Sequence, residues 1–317
     1  MEFKEIAQNV YACMQKDKGF GWNNSGFINL GDGLVVDTHY DLPTTQKQID
    51  LIASVTDKKP RYLVNTHHNG DHVWGNQLYK DAEIIAHKLC AEEVQKEKDS
   101  KIVGLFQGLQ AAGPENVPEE IRWFFKDVSE FDYNGIDITV PNKLIEGRLD
   151  LDLGGFPCEI VYVGPAHTSN DLIVHLPEHR VVFASDILFW KCTPVGWDGT
   201  HEQWMKAIDQ IVFLKPGIIV PGHGPLCGVN ELLELKAYFE FVYEESKKLF
   251  DSGETIPLEA AKRIDLGKYM EWTQPERLIW TVARAFRDFR GEAWDESFGD
   301  AMSLLALGHQ LKQFWER

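Results

Sequence analysis

The stretch Asn65–Asn76 reads NTHHNGDHVWGN and sets His67, His68, Asn69, Gly70, Asp71 and His72 side by side. The apolar run Arg61–Val64 before it predicts a short buried strand, and Val73-Trp74-Gly75-Asn76 after it predicts the start of a helix. The polar cluster therefore belongs on a strand-to-helix loop, where side chains converge without breaking a ladder or a helix. Imidazole nitrogens and carboxylate oxygens are good ligands for zinc, iron or manganese. Asp71 and His72 are adjacent and point in different directions, so they serve two metals or two sides of one. His, Asn, Asp and Gly are also turn residues, and such a loop standing alone also reads as a polar surface turn.

It does not stand alone. Gly164–Asp171 (GPAHTSND), Phe183–Asp186 (FASD) and Val220–Gly224 (VPGHG) each follow an apolar, strand-like run with a His or an Asp. Four such endings imply side chains gathered at one edge of a sheet stack.

In order and spacing these residues resemble the metallo-β-lactamase superfamily. Its members carry H-x-H-x-D-H on the loop after a strand, then a lone His, an Asp that bridges two metals, and a final His. The resemblance spans about residues 20–228 and implies a four-layer αββα sandwich of the α/β (α+β) class. It implies His67, Asn69 and His167 at a first metal, Asp71, His72 and His223 at a second, and Asp186 spanning both. Asp71 is then also the residue that orients the nucleophilic water and relays a proton. Asp37 and Thr38 are implied to lie near the metal loop as supports.

Asn69 departs from the motif, which has a second His there. An amide oxygen is neutral, hard and a weaker donor than imidazole, which biases the first position away from zinc and towards iron or manganese. Three arrangements follow: Asn69 ligates and the site is binuclear, only the Asp71–His72–His223 metal is held tightly, or His68 swings in. On an extended backbone His68 faces away from its neighbours, so the third needs an irregular loop. The expectation is a binuclear site, most simply two zinc ions, with Asn69 at the first.

Lys plus Arg is 32 against Asp plus Glu 49, a net charge of −17, which argues against nucleic-acid or anionic-membrane partners. The five cysteines are scattered with no CxxC pair, which suits reduced thiols and a cytoplasmic location. The segment MEFKEIAQNV lacks a signal-peptide core, and no run approaches the ~18 apolar residues of a membrane helix.

Outward from the metal loop, Phe27–Asp37 predicts a hairpin turned at Asp32-Gly33, and Pro43–Val55 an amphipathic helix. Ala82–Ala86, Asp137–Val140, Glu159–Val163, Leu172–Leu176, Val181–Ala184 and Pro216–Pro221 predict strands, and Gly199–Leu214 a helix capped by Thr200. His175 and His179 then fall on a strand and a turn, not among the ligands. Residues 88–135, with aromatics at Phe106, Trp123, Phe124, Phe125 and Phe131, predict a helical insertion, either a substrate lid or a layer packed into the core. Residues 1–228 form the metal-binding domain in this reading. Residues 229–317 form a helical C-terminal appendage carrying Trp272, Trp280, Trp294 and Trp315, able to bury a core, cover the site rim or pair with a second copy. Lys191 either offers a cation near Asp186 or, the more usual case, is an exposed lysine; Thr168–Asn170 hold the His167 loop, and Trp74, Trp190 and Trp197 flank the ligand segments.

The expected function is hydrolysis of an ester, thioester, lactone or amide bond of a small molecule by metal-activated hydroxide. The rivals are an iron-dependent redox enzyme resembling sulfur dioxygenases and a non-catalytic binding module.

Overall fold

The computed structural model describes residues 1–292 and 298–317, which leaves Trp294 outside the description. Two sheets face each other. In the first, β1 (Glu2–Ala7), β2 (Val10–Met14), β3 (Ser25–Ile28) and β4 (Leu34–Val36) are antiparallel neighbours. β5 (Tyr62–Val64), β6 (Glu83–His87) and β7 (Lys143–Ile145) continue from β4 in parallel. In the second sheet β8 (Arg148–Asp152), β9 (Pro157–Tyr162), β10 (Leu172–Leu176) and β11 (Val181–Phe189) are antiparallel, and β12 (Ile218–His223) pairs in parallel with β11.

Helices close both outer faces. Side chains alternate across a strand, so an unbroken apolar run serves two cores at once. Leu34, Val36, Val64 and Ile85 meet Ile160, Val174, Phe183 and Val220 between the sheets. Their chain neighbours Val35, Leu63 and Ile84 turn outward onto Ile52 of α1 (Leu42–Ala53). α2 (Gly70–Val73) follows β5, and the insertion folds as α3 (Lys88–Ser100), α4 (Ile102–Ala112) and α5 (Arg122–Val128). On the second sheet Ile173, Val182 and Ala184 turn outward into a cluster with Ile208 of α6 (His201–Phe213) and Leu235 of α7 (Val229–Asp251). α8 (Pro257–Ala261), α9 (Leu278–Arg290) and α10 (Phe298–Trp315) complete that cluster through Leu258, Ile279 and Leu311, so the helices beyond Gly228 share one core with α6 and β11.

Three local expectations are corrected. Asp137–Val140 is not a strand; the sheet takes Lys143–Ile145 instead. Pro141 lacks the N–H a ladder needs, and the neighbouring contacts are made by side chains, Asn76 donating to the Thr139 carbonyl and Asn142 accepting from the Ile84 N–H. The helix after the metal loop begins at Gly70, before Asp71 and His72, and ends at Val73. β11 does not stop at Ala184 but runs to Phe189, with Asp186 inside it at an irregular stretch where Ser185 has φ 47°. A bulge of this kind re-aims a side chain without ending the strand.

Under the metal loop His39 is buried among Gln15, Asn23 and Ser25, its ring nitrogens 2.8 Å from Asn23 Oδ1 and 3.0 Å from Ser25 Oγ. Burial, with the charge of His72 adding to it, pushes the imidazole down to about 3. The unfolded chain therefore takes up a proton near pH 6.5 that the folded chain refuses. The resulting stability is present above pH 6.5 and is lost as pH falls towards 3. Denaturant unfolding between pH 6.5 and 5 with a chelator present should show a falling stability, and His39→Gln should remove about 2 kcal/mol of that fall. An unchanged slope would mean that His39 is charged in the folded state.

Candidate metal centre

Strands β4 and β5 are parallel, with Val36 opposite Val64, so Asp37 and Thr66-His67 leave the sheet at the same edge. Asp37 has φ 60°, and its carboxylate accepts from Thr66 N at 2.8 Å, Thr66 Oγ1 at 2.7 Å and His72 Nδ1 at 2.9 Å. The Thr38 amide and hydroxyl both donate to the His72 carbonyl, at 2.9 and 3.0 Å. The two residues expected as supports thus fix α2 and the His72 ring. His167 lies on the loop between β9 and β10, where Asp171 accepts from Ala166 N, Thr168 N and Thr168 Oγ1. His223 is the last residue of β12, and Gly222 before it packs so close to Asp186 that a Cβ would strike the Asp186 carboxylate.

These hydrogen bonds fix which ring nitrogen is free. His72 Nδ1 donates to the Asp37 carboxylate, and His167 Nδ1 donates to the Val195 carbonyl at 2.8 Å, since neither oxygen carries a proton. Thr66 gives its one proton to Asp37, so at 3.1 Å His67 Nδ1 is the donor to Thr66 Oγ1. In the neutral rings each Nε2 is then a bare lone pair, and all three point at one another's neighbourhood. Ligating histidines in metal sites are oriented through the other ring nitrogen in this way.

The seven expected residues His67, Asn69, Asp71, His72, His167, Asp186 and His223 converge. Asn69 Oδ1 lies 3.2 Å from His67 Nε2 and 2.7 Å from His167 Nε2. Asp71 Oδ2 lies 3.6 Å from His72 Nε2 and 3.5 Å from His223 Nε2. Asp186 reaches both sets, at 3.3 Å from His167, 3.2 Å from His72 and 3.4 Å from His223, with His67 at 3.8 Å. His67, His72 and Asp186 form one compact group with metal-ligand spacing, and Asp71, His72 and His223 another. His68 turns away, its Nδ1 2.9 Å from Asn170 Nδ2, so it takes no place in either set.

The donor set fits cations. His72 Nε2 and Asp186 Oδ1, which face each other in the centre, are buried without a hydrogen-bond partner. Burial, with the charge of His72 adding to it, holds His67 well below its usual value, and burial likewise lowers His167, so both are neutral. Bare His167 Nε2 then faces the Asn69 carbonyl oxygen, two acceptors that a cation reconciles. Burial opposes charge on His72, but Asp186, Asp71 and Asp37 outweigh it and raise it well above 6.5. Burial also opposes charge on Asp186, and the surrounding histidines nevertheless hold it well below the carboxylate range. The cluster thus asks for positive charge, and metal binding to such sites displaces protons.

The centre opens into a cavity of about 240 Å³ whose wall includes Tyr40, Trp74, Phe106, Trp197, Arg277 and Leu305. Of the insertion's aromatics, Phe106 and Phe124 line this cavity, while Phe125 and Phe131 are buried in the core. Trp74 stacks on Tyr40 and donates its indole N–H to Glu97 at 2.9 Å. Burial, with the charges of Asp71 and Glu93 adding to it and the indole hydrogen bond opposing it, pushes Glu97 up to about 7. Lys191 is exposed and lies outside the cavity. The cation on the wall is Arg277, which no motif marks and which only the fold brings there. His175 pairs with Glu159 at 2.8 Å.

Residues 19–223 match the sequence model of the Metallo-beta-lactamase superfamily. A linear primary-alkylsulfatase from Pseudomonas sp. is 20% identical over 270 residues, 78% of this chain and 51% of the relative. A hydroxyacylglutathione hydrolase from Rhizobium meliloti is 27% identical over 154 residues, 48% of this chain and 43% of the relative. The chain spans about half the length of these curated relatives. Among solved structures, a metallo-beta-lactamase from Pontibacter korlensis superposes with TM-score 0.55 at 16% identity, covering 74% of this chain and 97% of its own. A double mutant of a sec-alkyl sulfatase superposes with TM-score 0.66 at 15% identity, covering 94% of this chain and 51% of its own. At these identities the likeness is one of fold.

Proposed function

Because the chain belongs to the metallo-beta-lactamase superfamily, we propose that it is a metal-dependent hydrolase cleaving an ester, thioester, lactone or amide bond of a small molecule. The observation that carries this reading is Asp186, one buried carboxylate facing the nitrogens of both ligand sets. His67, Asn69 and His167 would hold the first metal, and Asp71, His72 and His223 the second, with Asp186 common to both. A bound divalent metal lowers the pKa of water to about 7 and polarises a carbonyl oxygen.

The chain's own part is position and proton transfer. Asp71 stands beside His72 and His223 and is the carboxylate in the centre left partly open to solvent, so it can hold the attacking water and take its proton. The aromatic wall of Tyr40, Trp74 and Phe106 excludes bulk water and seats an apolar substrate group. α4 and α5 of the insertion act as the lid of this seat.

Elemental analysis beside an ester, thioester, lactone and amide panel tests the proposal. About two zinc per chain, with turnover lost in Asp71→Ala, is the expected result. Asn69→His should raise metal affinity at the first position by about 10- to 100-fold, read by competition with a chromogenic chelator. Metal-free protein after supplementation, inactive on every substrate, would refute it. The harder Asn69 oxygen favours a second reading, an iron-dependent redox enzyme, which iron content with thiol-dependent oxygen uptake would establish in place of hydrolysis. The five cysteines are free thiols, four of them buried, which supports a reducing, cytoplasmic setting. Among the described residues no helix is long and apolar enough to cross a membrane. Pairing of two copies through the C-terminal helices remains part of the proposal, tested by sedimentation.

A further inference from the structure

We propose that Arg277 is the specificity residue of this cavity, its free guanidinium edge binding an oxyanion carried on a small apolar substrate, a carboxylate or a sulfate. The substrate class rests on the hydrolase reading, whereas the oxyanion site itself does not.

Arg277 is 2% exposed and lies on the cavity wall with Asp71, His167 and His223. Its guanidinium is held flat over Phe20, 3.9 Å from the ring centroid, and its Nη1 points at the Thr193 carbonyl at 3.5 Å. Its Nε and Nη2 have no hydrogen-bond partner. Those two atoms form one edge of the planar group, and their N–H bonds run parallel, which is the fork that carboxylates and sulfates accept from.

A buried charge without a partner costs several kcal/mol, so a purely structural arginine would be paired. Acidic groups are near and do not fill this role. Asp127 Oδ2 accepts from Gln274 Nε2 and from Phe20 N, and Glu97 on the same wall accepts from Trp74. Neither these nor Asp17 forms an ion pair with Arg277 among the described residues. The cation is thus buried, held flat over an aromatic ring and left without a hydrogen-bond partner on its bidentate edge, in a chain of net charge −17 whose surface would otherwise repel anions.

The residue also sits where a selector belongs. It stands immediately before α9, outside the segments that carry the seven clustered residues, so it can change without disturbing them.

The test compares wild type, Arg277→Met and Arg277→Lys as full-length, metal-loaded protein. Turnover is measured on p-nitrophenyl butyrate and on the p-nitrophenyl monoester of glutaric acid. Binding of hexanoate, hexyl sulfate and neutral hexanamide is read from tryptophan fluorescence, since Trp74 and Trp197 line the cavity. Arg277→Met should lower kcat/KM for the glutarate ester and affinity for the preferred oxyanion by about 10- to 100-fold, with butyrate ester and hexanamide unchanged. Whichever of hexanoate and hexyl sulfate loses more identifies the source. Arg277→Lys should recover part of the loss, and the melting temperature of Arg277→Met should equal or exceed that of wild type. Equal losses for charged and neutral ligands, no loss at all, or a lowered melting temperature would overturn the assignment. If neither ester turns over while hexanoate or hexyl sulfate binding still depends on Arg277, the hydrolase reading fails and the oxyanion site stands.

Discussion

Replacing Asp186 by alanine is expected to lower turnover by about 10³-fold or more and to bring metal content below one per chain. The size follows from position. Four histidines at 3.2 to 3.8 Å surround this carboxylate, and both ligand sets meet at it. Each of the other six residues belongs mainly to one half of the centre, so its loss leaves the other half standing. Losing Asp186 also leaves His72 and His223 without the carboxylate that does most to raise them, so two buried imidazoles must shed protons or repel any cation. Burial works against the charge on Asp186 itself, so the metal-free protein should lose much less stability than activity. Asp186→Asn keeps the shape and removes the charge. If it retained full metal content, shape and not charge would be holding the cations. Elemental analysis together with steady-state turnover decides this.

The second large effect is expected away from the reacting atoms. Asp37→Ala should cost about 3–5 kcal/mol of stability in denaturant unfolding with a chelator present. It should also weaken metal binding by about 10- to 100-fold. Asp37 accepts from Thr66 N, Thr66 Oγ1 and His72 Nδ1, and Ser185 Oγ approaches it at 3.3 Å, all inside the protein. Alanine would strand Thr66 N and His72 Nδ1 in a place water does not reach, while the Thr66 and Ser185 hydroxyls keep each other at 2.6 Å, and the cost of unsatisfied buried donors exceeds the worth of the bonds themselves. His72 would also lose what fixes its tautomer. Asp37→Asn should lie between, because an amide still accepts through its oxygen but brings a second donor towards Thr66 N and His72. A variant within 1 kcal/mol of wild type, binding metal normally, would show that the network is redundant.

Much of the centre was legible because its residues are concentrated. Asn65–Asn76 supplies four of the seven clustered side chains in eight positions or fewer of each other, and strands bring the remaining three to the same edge. The sandwich was legible for a related reason: runs such as Leu34-Val35-Val36 can only be buried on both faces, which requires layers on either side. What the sequence hid was set by long-range contact. Pro141 moved a strand by a few residues, and the bulge at Ser185 carried β11 on past Asp186. Arg277 was invisible for the plainest reason. Nothing local distinguishes an arginine that forms surface ion pairs from one folded over Phe20 with its outer edge bare. Lys191, closer in sequence to Asp186, faces solvent, the reading an isolated lysine most often has.

Ala301, Met302 and Leu305 of α10 contribute to the cavity wall, and the indole N–H of Trp123 in the insertion donates to the Leu305 carbonyl at 3.0 Å. During synthesis the ribosome releases every one of the seven clustered residues well before it releases this helix. A nascent chain can therefore gather its ligands while one side of the chamber is still missing. The same holds for a chain clipped by a protease ahead of α10: it keeps the groups that would do chemistry and loses the wall that decides what reaches them. Reactivity and selectivity are thus separated in time of synthesis and by a single cut.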